Sequence, residues 1–85
     1  MEVTTIFTKV NKGSYKEYFK GSQKDAYNLT AQLRERATSK GFRRHYDGCG
    51  NIGTSIKYTN KDSVVYVHIC TSEEQERMFR FNYQF

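Results

Sequence analysis

The sequence predicts an α+β fold, an antiparallel β-sheet of about five to six strands with one amphipathic helix packed on one face. Three observations point there. Residues 23–40 carry apolar side chains at helical spacing. Most of the remaining chain is β-branched or aromatic and is punctuated by glycine, asparagine and aspartate turn signals. A length of 85 residues leaves room for a single domain, 1–85, with a small core.

Residues 3–10 are β-branched and aromatic and read as a strand, and Asn11, Lys12 and Gly13 close it with a turn. Residues 14–20 read two ways. Tyr15, Glu17 and Phe19 alternate with lysines and Tyr18, which suits the second arm of a hairpin, whereas Ser14 with Glu17 forms a capping box that would open a helical turn. The strand is favoured. Either structure is expected to keep Lys12, Lys16 and Lys20, spaced by four, roughly on one face. Ser22 and Asp25 then mark a helix start. Ala26, Leu29, Leu33 and Ala37 form its apolar stripe. Gly41 ends it as a left-handed cap, with Phe42 placed to contact Ala37.

Strands are expected at 42–47, 54–58, 64–71 and 78–85, with turns at 48–53 and 59–62. Ser72 to Gln75 also carries a helix-cap signal, but Phe79, Phe81, Tyr83 and Phe85 recur with period two, and the strand is preferred. On that assignment Val65, Val67 and Ile69 face the helix together with Phe79, Phe81 and Tyr83. The opposite face receives Tyr66, His68, Cys70, Met78, Arg80 and Asn82.

Ile, Leu and Val number eleven against thirteen Tyr and Phe, so aromatic rings must carry much of the core. The size excludes a Rossmann or TIM-type cofactor fold, and no cofactor is expected. Net charge is +5, unevenly spread. Residues 9–44 hold ten Lys and Arg against three acidic side chains, whereas residues 62–85 are net acidic. A basic half suits a polyanionic partner, since Lys and Arg displace counterions from phosphates. Two cysteines are too few for a disulfide scaffold. With no leader and no long apolar run, the expected place is the cytoplasm, with no membrane partner.

Gly48, Gly50 and Gly53 match the dinucleotide fingerprint letter for letter, but a strand-like stretch follows where the mechanism needs a helix, so a glycine hairpin is expected. His45, Cys49, His68 and Cys70 make a zinc set that fits no familiar spacing, and no metal site is assigned. His45 and His68 could act as an acid–base pair on RNA, with Lys57 stabilising the phosphorane. The stronger signal combines cations with rings. Lys40, Arg43, Arg44, His45 and Tyr46 cluster after the helix, and Lys57, Tyr66 and Arg80 follow on later segments. Together with Lys12, Lys16 and Lys20, these side chains (Tyr46 aside) are the candidate RNA-binding residues, phosphates being met by cations and unpaired bases by rings.

With Lys12 to Lys24, the run from Arg43 to Tyr46 and the Tyr/Phe-rich segments in view, the whole chain resembles phage-encoded RNA-binding toxin-inhibitory factors, which block the endoribonuclease of type III toxin–antitoxin systems. The resemblance implies a non-enzymatic inhibitor in a host cytoplasm whose partners are RNA and a protein target such as a toxin ribonuclease. Two other readings stand beside it. One is a protein–protein inhibitor with a basic docking face, and the other is a small metal-independent endoribonuclease using His45 and His68. Aromatic alternation carried to Phe85 further suggests pairing across a homodimer edge.

Overall fold

The computed structural model describes residues 3–83, apart from the side chains of Tyr46 and Asp47. Strands β1 (Thr4–Val10), β2 (Lys16–Gly21), β3 (Arg43–Gly50), β4 (Gly53–Thr59) and β5 (Val64–Cys70) form one sheet in the order β2-β1-β5-β4-β3. Every neighbouring pair is antiparallel. Helix α1 (Gln23–Ser39) covers one face, and helix α2 (Glu73–Asn82) covers part of the other. The α+β class and the antiparallel sheet are as the sequence predicts. The second helix is not. No helix among the described residues is long and apolar enough to cross a membrane.

Alternation along each strand splits the core in two. On the α1 face Ile6, Ile56, Tyr58, Val67 and Ile69 pack with Ala26, supported by Phe19, Leu29, Ala37, Phe42 and Val65. On the α2 face Phe7, Tyr15, Cys70 and Phe79 pack together, with Ile52 and Tyr66 at the margin. The expected facing of Val65, Val67 and Ile69 toward α1 holds.

α1 begins and ends where its residues say it should. The Ser22 hydroxyl accepts from the Asp25 amide at 3.2 Å. At the other end Gly41 has φ +84°, a conformation that penalises a side chain. The Phe42 and Gly41 amides donate to the Ala37 and Thr38 carbonyls at 3.0 and 3.1 Å, a Schellman closure.

The segment predicted as a strand at 78–85 is helical up to Asn82, and its last residues, Gln84 and Phe85, lie outside the described residues. The cap signal wins over the alternating rings. Ser72 accepts from the Gln75 amide at 3.1 Å, while the Gln75 side chain accepts from both the amide and the hydroxyl of Thr71 at 2.9 and 3.2 Å. Helical winding puts Glu76, Phe79 and Tyr83 on the side facing the sheet and turns Phe81 out to 88% exposure. Phe79 and Tyr83 therefore join the face opposite Val65, Val67 and Ile69, and Met78, Arg80 and Asn82 belong to α2 rather than to a strand.

A second correction concerns the lysines. β2 is a strand, but its register against β1 slips between Ile6 and Phe7, and Tyr18 becomes the extra residue of a bulge. Lys16 then pairs with Thr8 and Lys20 with Thr5, positions of opposite parity, so the two lysines point to opposite faces. Lys12 lies in the exposed turn between β1 and β2.

Candidate nucleic-acid interface

The sheet register assembles a row that no local pattern reveals. His45 on β3 pairs with Lys57 on β4, Lys57 pairs with Tyr66 on β5, and Tyr66 pairs with Lys9 on β1. Cross-strand partners share a face, so these four side chains line up across the α2 face over roughly 14 Å, three strand spacings. α2 sits over the neighbouring positions Thr5, Phe7, His68 and Cys70 and leaves the row open. His45 is exposed, while Lys9, Lys57 and Tyr66 are half-buried. The Lys9 ammonium stands 4.5 Å from the Tyr66 ring centroid and 5.0 Å from that of Tyr15, close enough for cation–π attraction to both. His45 Nε2 lies 3.1 Å from the Thr59 hydroxyl. Arg43, two residues along the same strand and exposed, extends the positive edge on this face.

Next to the row lies a cleft of about 460 Å³. Lys9, Tyr15, Tyr66 and Tyr83 line it together with the β3–β4 glycine hairpin, Ser55 and His68. As expected from the missing helix, the glycine-rich stretch is a hairpin, with Gly50 paired to Gly53 and a register shift between Tyr46 and Gly48. Gly53 has φ +119°, and a Cβ there would fall 2.3 Å from the Ile69 carbonyl oxygen and 2.8 Å from His68 Nε2. Glycine is what allows the hairpin to close on the imidazole.

The remaining candidate residues fall elsewhere. Arg44 pairs with Tyr58 and, like Lys16, faces the α1 side. Lys40 is the C-cap of α1 and borders that side as well. A larger cavity of about 870 Å³ runs there between α1 and the sheet, with Arg34 and Arg44 in its wall, but none of the ring-and-cation row reaches it. Lys20 and Arg80 lie on the α2 face and serve the fold. Lys20 Nζ is 3.2 Å from Glu76 Oε1, Arg80 Nε is 3.0 Å from Glu76 Oε2, and Arg80 Nη2 is 3.3 Å from Glu17 Oε1. Burial alone would raise the Glu76 pKa, but hydrogen bonds from Arg80, the Thr5 hydroxyl and Lys20 outweigh it and hold the carboxyl below its usual range.

His45 and His68 are not brought together. They lie two strands and one same-face row apart, roughly 12 Å by strand geometry. His68 is buried, stacked on Phe79 at 3.8 Å, and both of its ring nitrogens are engaged within the fold. Among the described residues no three His, Cys, Asp or Glu side chains group to hold a metal, so His45, Cys49, His68 and Cys70 do not converge. Burial pushes the Cys70 thiol up to about 12, with Glu76 adding and Arg80 opposing, so it stays protonated.

Of the side chains along this row and its edge, Arg43, His45, Lys57 and Tyr66 are among the residues the sequence singles out as candidates, whereas Lys9 is not. The only signal for Lys9 was its place among the basic residues, because its partner Tyr66 is 57 positions away in the chain. No family model, curated protein or solved structure matches the chain.

Proposed function

We propose that the protein binds single-stranded RNA without cutting it, on the open row of His45, Lys57, Tyr66 and Lys9, and acts as a phage-type inhibitor that holds a protein target such as an endoribonuclease in the same complex. The observation that carries this reading is the row itself, in which cations flank a ring on the part of the sheet face that α2 leaves open. Such a surface neutralises phosphates while a base stacks on the ring, and it tolerates many sequences because every base has a π-face. The separation of His45 from His68 favours binding over an acid–base pair that cleaves.

Binding to a short unstructured RNA, titrated against salt, tests the proposal. Each phosphate contact on a single strand contributes about −0.7 to the slope of log affinity against log salt. Lys9→Ala with Lys57→Ala should flatten the slope by about 1.4 if each meets one phosphate. Tyr66→Ala should weaken binding by about 1–3 kcal/mol with little change in slope. Lys16→Ala with Arg44→Ala, on the other face, should leave the affinity within about twofold. A wild-type protein with no RNA affinity at low salt would mean that the row docks on an acidic protein instead. Capture of the target from lysate with and without ribonuclease treatment separates an RNA-bridged complex from that direct one.

A further inference from the structure

Ser55 and His68 occupy the same-face row adjoining the RNA row, and their geometry differs from that of a merely buried histidine. The Ser55 hydroxyl lies 2.7 Å from His68 Nδ1, and His68 Nε2 lies 2.7 Å from the Ile52 carbonyl oxygen. A carbonyl only accepts, so Nε2 carries the proton, and Nδ1 of the neutral ring accepts from the serine. The Ile52 carbonyl thus fixes the tautomer that leaves a basic nitrogen against the hydroxyl. The ring is held from both sides. Phe79 stacks on it with planes 6° apart, and Gly53 lets the hairpin reach Nε2. Burial lowers the His68 pKa, against the Ile52 hydrogen bond, which raises it, so the ring is neutral near pH 7. Ser55 itself is half-buried and lines the cleft with Lys9, Tyr66 and Tyr83.

We propose that Ser55 is a nucleophilic site, with His68 as its general base, that takes an acyl group from a small activated ester entering the cleft. Ser55 Oγ forms a bond to the ester carbonyl carbon as its proton passes to His68 Nδ1. The bond from that carbon to the leaving oxygen then breaks, and the proton moves on to the departing oxygen. The product is an ester on Ser55 and a free alcohol or phenol, with no change of oxidation state. The aromatic walls suit an aryl leaving group. This site does not depend on the RNA reading, since neither Ser55 nor His68 belongs to the proposed RNA row.

The test is acetylation of the full chain by p-nitrophenyl acetate, followed by nitrophenolate release and by peptide mapping. The expected result is one acetyl group on Ser55, none at that position in Ser55→Ala, and a rate at least about 100-fold lower in His68→Gln, the smaller end of what a positioned base contributes. The wild-type rate should rise with pH through a single titration below the ordinary histidine value of 6.5 and then level off. That profile decides the matter even where His68→Gln fails to fold, because a serine held only for packing reacts in proportion to hydroxide without a plateau. Acetylation confined to lysines or Cys49, or an equal rate in Ser55→Ala, would overturn the proposal.

Discussion

The two helices divide the work of the fold unequally. α1 has 17 residues, yet Ala26 is its one fully buried side chain, while Leu29, Leu33 and Ala37 are only half-buried and Leu33 borders a cavity. α2 has only 10 residues, but it buries Phe79 completely and Glu76 almost so. Phe79 meets Phe7 and Tyr15 at 5.0 Å, Tyr83 at 4.7 Å and His68 at 3.8 Å. Glu76 ties the Thr5 hydroxyl of β1, Lys20 of β2 and its own helix's Arg80 to one carboxylate. The long helix is therefore a cover laid over the sheet, and the short one is pinned to it by a ring cluster and a charged network. In a chain with few aliphatic residues, dense packing follows the rings rather than the longer helix.

The sharpest way to break that comparison is to truncate one side chain on each helix. Phe79→Ala should cost about 3–5 kcal/mol, a large part of the roughly 4–13 kcal/mol that a domain of this size has at about 0.05–0.15 kcal/mol per residue. Leu33→Ala, at a half-buried position, should cost about 1–2 kcal/mol, in proportion to the area it covers. Urea unfolding of both variants measures the difference. A Leu33→Ala loss equal to or larger than that of Phe79→Ala would reverse the ranking of the helices.

That ranking is the opposite of what was legible in the sequence. α1 could be read end to end because its stripe, its Ser22 cap and its Gly41 stop are all local signals. α2 also announced its start at Ser72, but Phe79, Phe81 and Tyr83 fit a period of two as well as they fit a helix exposing Phe81. What decides between the two is Phe7 and His68, the sheet side chains that Phe79 covers, and those contacts are long-range. The bulge at Tyr18 was illegible for the same reason, since a register slip is a property of the strand pair. So were the row containing Lys9 and the Ser55–His68 contact, which exist only once β5 lies between β1 and β4. Local chemistry named most residues of the candidate row, and strand order decided which of them meet.

Acid sharpens the comparison, because His68 beneath α2 and Glu76 on it both have lowered pKa values in the acid range. Burial disfavours a charged His68, so its folded pKa is lower than 6.5 and the unfolded chain binds that proton more readily. The stability from a neutral His68 is complete above pH 6.5 and is lost as pH falls through the lowered value. Glu76 is displaced the same way, by hydrogen bonds to its charged form. Its contribution is complete above its ordinary value of 4.5 and is lost as pH falls below it. Melting temperature should therefore decline in two stages, the first from about pH 6.5 removed by His68→Gln, the second from about pH 4.5 removed by Glu76→Gln. At neutral pH, Glu76→Gln should cost about 2 kcal/mol through weakened charge-assisted hydrogen bonds. A melting temperature that stays constant from pH 7 to pH 5 would show that His68 is not shielded by Phe79 as its stacking implies.

The smallest effect expected comes from the two caps, which are chemically alike and differently placed. Ser22 and Ser72 each accept from the amide three residues on, at 3.2 and 3.1 Å. Replacing a serine cap by alanine costs about 1 kcal/mol on average, because an orphan amide is left to find water. At Ser22, which is exposed, water replaces the hydroxyl readily, so the loss should fall near the lower end, about 0.5 kcal/mol. Ser72 is half-buried, its cap is shared with the Gln75–Thr71 bonds, and it sits within four residues of Glu76. Freeing that turn loosens the carboxylate that Lys20 and Arg80 hold, so Ser72→Ala should cost about 1–2 kcal/mol. The same substitution at two caps thus reads out how tightly each helix is coupled to the sheet, by chemical denaturation of two single variants. If Ser22→Ala is the more damaging, α1 carries more of the fold's stability than its burial indicates. The double variant Ser72→Ala with Glu76→Gln then checks the coupling at α2, since losses that add in full would mean that the cap and the carboxylate act independently.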